Sequence, residues 1–189
     1  MNLPNKLTVL RLIMIPVFVA VYFITAIPFN YVIAAALFAA AAFTDYLDGH
    51  IARKYNMVTD LGKFLDPIAD KVLVATALII MLVVPDGGAE MLPSYAAVAV
   101  SVILARELII SGFRMVAAAK GKVIAADKAG KIKTFVQDIA VCALLIGAQF
   151  QPGLYTALNV IGLVMLGLAT ALTIVSGTEA IAKNASVLK

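Results

Sequence analysis

Six apolar stretches, near residues 5–27, 30–53, 63–84, 94–119, 132–150 and 153–177, divide the chain into lengths close to the ~20 residues a helix needs to cross a hydrocarbon core. Short separators rich in turn residues lie between them: Pro28 and Asn30, Asn56 to Gly62, Pro85 to Gly88 with Pro93, Gly121 to Gly130, and Gln151 to Gly153. The chain is 63% hydrophobic and 14% charged, against roughly 45–50% and 25% for soluble domains. Its mean hydropathy is +1.02. These features predict an all-α integral membrane protein with six transmembrane helices in a single domain over residues 1–189. No internal repeat or low-complexity tract divides it. The first apolar run is long enough to span and lacks a small-residue cleavage pattern, so no cleavable signal peptide is expected. Cys142, the single cysteine, excludes a disulfide framework or a thiolate metal site within one chain and reads as a small buried hydrophobe.

Basic residues predict the orientation. All Lys and Arg except Arg106 fall at ends or loops of one side, whereas the connections at 28–30, 85–93 and 150–153 hold none. The charged side is therefore expected in the cytoplasm, with both termini there. A net charge of +4 suits an anionic leaflet. Only Arg106, Glu107 and Asp138 are expected deeper in the membrane. Asp138 with Gln137 reads as a polar contact between helices or a dimer feature.

Four acids need a different explanation. Asp45 and Asp48 stand three apart, and Asp66 and Asp70 four apart, on either side of the second separator. Acids at a membrane margin are costly, ~2.5–3.5 kcal/mol each at a helix centre. On helices each pair shares one face, ~5–6 Å apart, and like charges that close repel unless a cation lies between them. With oxygen as the only ligand type, that cation is hard, Mg²⁺ or Mn²⁺ rather than zinc. Gly49 and Gly62 remove side-chain bulk where a phosphate could approach the backbone, or where helices pack closely. Ala52 does the same less drastically. Arg53 offers a planar fork for a phosphate.

The complete pattern, D-x-x-D-G-x-x-A-R-x8-G-x3-D-x3-D from Asp45 to Asp70, is filled at every fixed position. It resembles the signature of the CDP-alcohol phosphotransferases, integral membrane enzymes with a CDP-linked donor. The resemblance implies that an acceptor hydroxyl displaces CMP at the lipid-bearing phosphorus, with two divalent ions clamping the attacking and leaving oxygens. It makes Asp45, Asp48 and Asp66 metal ligands. It makes Asp70 the general base that takes the acceptor's proton, and a metal contact as well. It implies a donor site formed by Gly49, Ala52, Arg53 and Gly62, together with Asn5, Thr8 and Arg11 of the opening Pro4-to-Arg11 segment. Asn5 or Thr8 reads equally as the cap of the first helix.

A second phosphate is suggested by Arg106, Arg114, Lys131 and Lys133, with Glu107 supporting Arg106. Three blocks resemble one bacterial branch of the family: the opening segment, Leu61 to Lys71, and Arg106-Glu107 with Gly130 to Thr134. That branch uses CDP-diacylglycerol and glycerol 3-phosphate. The resemblance further implies a homodimer, contact with membrane lipids, and an active site at the cytoplasmic edge of a bacterial inner membrane. Nucleic acid is not among the expected partners. The alternatives are another acceptor, whether serine, inositol phosphate or a lipid, and a divalent-cation transporter, since intramembrane acids also mark ion paths. A transport path calls for acids across the whole thickness, and here they cluster at one edge.

Overall fold

The computed structural model describes the backbone over residues 2–54, 60–120, 128–150 and 153–184. Side chains are described at these positions except 3–4, 46, 48–54, 60–67, 70, 119, 128–129 and 153–156. Six helices run in order: α1 Leu3–Phe23, α2 Asn30–Lys54, α3 Asp60–Ile80, α4 Ala96–Ala119, α5 Lys128–Gln149 and α6 Gly153–Lys183. No strand occurs among the described residues. Helix α1 starts earlier than either proposed cap, with a proline in its first turn where no N–H is missed. Asn5 and Thr8 therefore lie inside the helix, and neither caps it.

Among the described residues, four helical segments are long and apolar enough to cross a membrane: Asn5–Phe23, Ala96–Ala118, Gly130–Gln149 and Ala157–Lys183. Among the described residues, α2 and α3 contribute shorter apolar segments, Asn30–Asp45 and Lys71–Ile80. Large apolar side chains cover the outside, including Val98, Leu108, Met115 and Phe135, each about two-thirds exposed or more. A soluble protein rarely presents so much contiguous apolar surface. With lipid as the surrounding solvent it costs nothing.

Packing is closest between α5 and α6 and between α1 and α2, while α3 touches α4 and α5 only lightly. Phe18, Tyr22, Phe38, Leu73, Met81, Leu144 and Leu166 belong to one core. The end of α1 and the start of α2 meet the turn after α3, and α2 meets the end of α5, through side chains that satisfy backbone groups. Tyr22 Oη donates to Val83 O at 2.9 Å, and Thr25 Oγ1 to Asp86 O at 3.2 Å. Ala89 N donates to Tyr31 Oη at 3.1 Å, and Tyr31 N to Gln149 Oε1 at 3.2 Å. The turn fits because Gly87 adopts φ +69 and because a Cβ on Gly88 would meet Tyr31 Oη.

Glycine also sets the α5–α6 approach. A Cβ at Gly147 would stand 3.0 Å from Leu158 Cβ and 3.4 Å from Asn159 N, atoms that no side-chain rotation can move away. Gly147→Leu is predicted to destabilise the fold by about 1–3 kcal/mol through overpacking. The check is a lowered thermal midpoint in detergent; an unchanged midpoint would contradict the tight α5–α6 contact.

Candidate functional site

Asn5, Thr8 and Arg11 recur at three-residue intervals along α1, and all three are buried. Arg11 is wholly enclosed, a costly position for a guanidinium unless it is paired and hydrogen-bonded. Its Nε donates to Ala41 O at 3.1 Å and to Thr44 Oγ1 at 3.3 Å. Nη1 lies 2.9 Å from Asp45 Oδ1. Thr44 Oγ1 in turn donates to Ala41 O at 2.7 Å. One cation of α1 thus grips the turn of α2 that opens the acidic motif. Asp45 keeps 42% of its side chain exposed, so the pair is buried on the arginine side and open on the acid side.

Helices α2 and α3 carry the rest of the motif: α2 bears Asp48, Gly49, Ala52 and Arg53, and α3 bears Gly62, Asp66 and Asp70. The surroundings of these seven lie outside the described residues. Among the described residues no three His, Cys, Asp or Glu gather as metal ligands, and Asp45 is the only motif acid included. The donor set still fits a hard divalent ion. It is all oxygen, and its described member presents a half-open carboxylate at the polar end of an apolar helix.

A second charged cluster joins α4, α5 and α6. Glu107 Oε1 accepts from Arg106 Nη1 and from Lys133 Nζ, both at 2.9 Å. Arg106 Nη2 donates to Ser176 Oγ at 2.8 Å, which ties α4 to α6. Gly177 makes room for this arginine, because a Cβ there would lie 3.0 Å from Arg106 Cγ. Lys133 is only 3% exposed, so Glu107 is the compensation its charge requires. Of the four cations proposed for an acceptor phosphate, the structure brings Arg106 and Lys133 together on one carboxylate oxygen. Arg114 is half-buried, its Nε without a hydrogen bond, and Lys131 is exposed.

Beside this cluster, α3, α4 and α5 enclose a cavity of about 290 Å³. Lys71, Glu107, Lys133, Thr134 and Gln137 give it polar groups, and residues such as Val72, Ile79, Ile103 and Leu108 make the rest apolar. Gln137 is 1% exposed, and its Oε1 has no hydrogen-bond partner. Sequence reasoning missed Thr44, Ser176 and Lys71 as parts of these sites. The signal for Ser176 was present, since an arginine deep in an apolar span needs an acceptor and Ser176-Gly177 combines a hydroxyl with space.

Comparison with known proteins adds a family. The profile described as CDP-alcohol phosphatidyltransferase matches residues 1–175. A Bacillus subtilis protein named CDP-diacylglycerol–glycerol-3-phosphate 3-phosphatidyltransferase is 39% identical over 200 aligned residues, covering 100% of this chain and 97% of the relative. A Rickettsia bellii protein of the same name is 39% identical over 93% of this chain and 91% of its own length. One from Shigella flexneri, also so named, is 37% identical over 92% and 89%.

The Glu107 cluster yields a stability prediction. Glu107→Gln leaves Lys133 buried without its counter-charge and is predicted to cost about 3–5 kcal/mol. Adding Lys133→Met should recover most of the loss. Thermal unfolding in detergent reads both; equal midpoints for the wild type and the single variant would contradict the pairing.

Proposed function

Since this chain belongs to the CDP-alcohol phosphatidyltransferase family, we propose that it transfers the phosphatidyl group of CDP-diacylglycerol to glycerol 3-phosphate, giving phosphatidylglycerophosphate and CMP. The observation that carries this reading is the 39% identity, over 100% of the chain, to a relative named for that reaction. The acceptor's hydroxyl oxygen bonds to the lipid-bearing phosphorus as the bond from that phosphorus to CMP breaks. Asp70 takes the hydroxyl proton.

Asp45, Asp48, Asp66 and Asp70 would hold the two Mg²⁺ or Mn²⁺ ions of this reading. When bound, such ions neutralise the diphosphate and the charge that develops on the entering and leaving oxygens. Gly49, Ala52 and Gly62 let the donor approach the backbone of α2 and α3, and Arg53 pairs with its phosphate. Asn5, Thr8 and Arg11 support the wall of this site from α1, in keeping with their burial.

For the acceptor, Arg114, Lys131 and Lys133 supply the positive charge, and Glu107 with Arg106 holds Lys133 in place. A small phosphorylated triol fits the cavity beside Lys133. Serine lacks the phosphate that these cations suit. The chain crosses a bacterial inner membrane six times with its termini and acids facing the cytoplasm, a reading supported by the one-sided distribution of Lys and Arg. A homodimer, as the family resemblance implies, covers part of the exposed apolar surface.

The direct test offers purified protein CDP-diacylglycerol with labelled glycerol 3-phosphate, serine or inositol phosphate. Labelled lipid and CMP should form with glycerol 3-phosphate alone, stop on chelation, and return with Mg²⁺ or Mn²⁺. Transfer to serine instead, or turnover that survives chelation, would refute the corresponding part. Asp66→Asn is predicted to abolish turnover. Arg114→Ala should raise the KM for glycerol 3-phosphate about tenfold or more, as loss of a charge-assisted contact implies, with the donor KM nearly unchanged. Unaltered acceptor kinetics would remove Arg114 from the pocket.

A further inference from the structure

The cavity beside Lys133 has in its wall a polar group that no described residue satisfies. Gln137 lines the cavity and is 1% exposed, and its Oε1 has no hydrogen-bond partner. Its neighbours in the wall are engaged: Lys133 Nζ donates to Glu107 Oε1 at 2.9 Å, and Thr134 Oγ1 donates to Gly130 O at 3.2 Å. An amide oxygen shut away from water and unpaired destabilises a fold, so such a group calls for a reason.

Two structural roles do not supply one. A polar contact between helices would give Oε1 a partner, and it has none. A contact with a second copy of the chain would need Gln137 on the outer surface, and it is enclosed. What remains is a molecule inside the cavity, which measures about 290 Å³.

Position on α5 indicates its chemistry. Lys133 and Gln137 stand four apart, so their side chains share a helix face with Cβ atoms ~5–6 Å from each other. A three-carbon phosphate spans such a gap, with its phosphate toward the positive charge of Lys133 and a hydroxyl toward Gln137. Val74, Ala75, Ile103 and Leu104 line the same cavity and keep its interior apolar, where one hydrogen bond counts for more than in water.

We propose that Gln137 is a specificity-determining residue that reads the secondary hydroxyl of the acceptor: Oε1 accepts a hydrogen bond from that hydroxyl, and the terminal hydroxyl is left to attack phosphorus. This rests on the reading of glycerol 3-phosphate as the acceptor, with its phosphate at Lys133. An acceptor without the secondary hydroxyl leaves the amide unpaired in an enclosed site and is used poorly.

The experiment gives purified full-length protein CDP-diacylglycerol, Mg²⁺ and one of two acceptors: glycerol 3-phosphate, or 3-hydroxypropyl phosphate, which keeps the phosphate and the terminal hydroxyl but lacks the secondary one. Wild type should favour glycerol 3-phosphate about 10-fold or more in kcat/KM. Gln137→Met keeps an unbranched side chain of similar volume without the amide. In that variant the preference should fall to about 2-fold or less, with the donor KM unchanged. Its thermal midpoint in detergent should equal or exceed that of wild type, because an unsatisfied buried group has been removed. A preference that survives Gln137→Met overturns the proposal, whether the amide is structural and the midpoint drops or a bound water occupies Oε1. So does a wild type that uses both acceptors alike, a result independent of how the variant folds. If wild type transfers to neither acceptor, the acceptor reading fails and this inference fails with it. If wild type uses glycerol 3-phosphate and the variant keeps the wild-type preference, only the inference fails.

Discussion

Charge inside lipid is the constraint from which the rest of this structure follows. Water is not there to solvate a buried guanidinium or ammonium, so each such group needs a partner supplied by the protein. Arg11 finds Asp45, Thr44 and a carbonyl on α2. Arg106 and Lys133 share Glu107, and Arg106 reaches on to Ser176. These contacts tie α1 to α2, α4 to α5, and α4 to α6. They give direction to a bundle whose apolar exterior distinguishes poorly between one helix neighbour and another.

The two clusters treat charge differently. Around Glu107, two cations share one acid and leave net positive charge beside a cavity, a setting that favours an anion. Along the acidic motif, four carboxylates lie on α2 and α3 within one short stretch of sequence, and Arg11 meets the first of them, Asp45. An enzyme that brings an anionic acceptor to a diphosphate donor needs both. The light contact of α3 with α4 and α5 leaves the space between them.

Much of this was legible in the sequence. The apolar stretches at 30–53 and 94–119 became Asn30–Lys54 and Ala96–Ala119, because a run of that length without turn residues has few alternatives to a helix. The sixth helix runs on to Lys183, past the stretch ending at 177. Its polar residues Ser176 and Thr178 satisfy themselves on carbonyls of the preceding turn and do not stop it. The motif was plain from spacing alone. What spacing does not give is the partner across the bundle: Arg11 meets Asp45, Lys133 meets Glu107, and Arg106 meets Ser176 through contacts far apart in sequence. Periodicity assigns a residue to a face of its helix, and only helix packing decides what that face meets. For that reason the contact of Arg11 with Asp45 across to α2 could not be read from the sequence.

The central claim is that the acids of α2 and α3 persist at a membrane edge because divalent ions neutralise them. Crystals of the protein grown with Mn²⁺ and measured across the manganese absorption edge test it most directly. The account predicts anomalous peaks between α2 and α3, with Asp45 and Asp66 oxygens at about 2.0–2.3 Å, the distance of hard divalent ions from oxygen ligands. No peak there, with the four carboxylates paired to lysines and arginines, would contradict it.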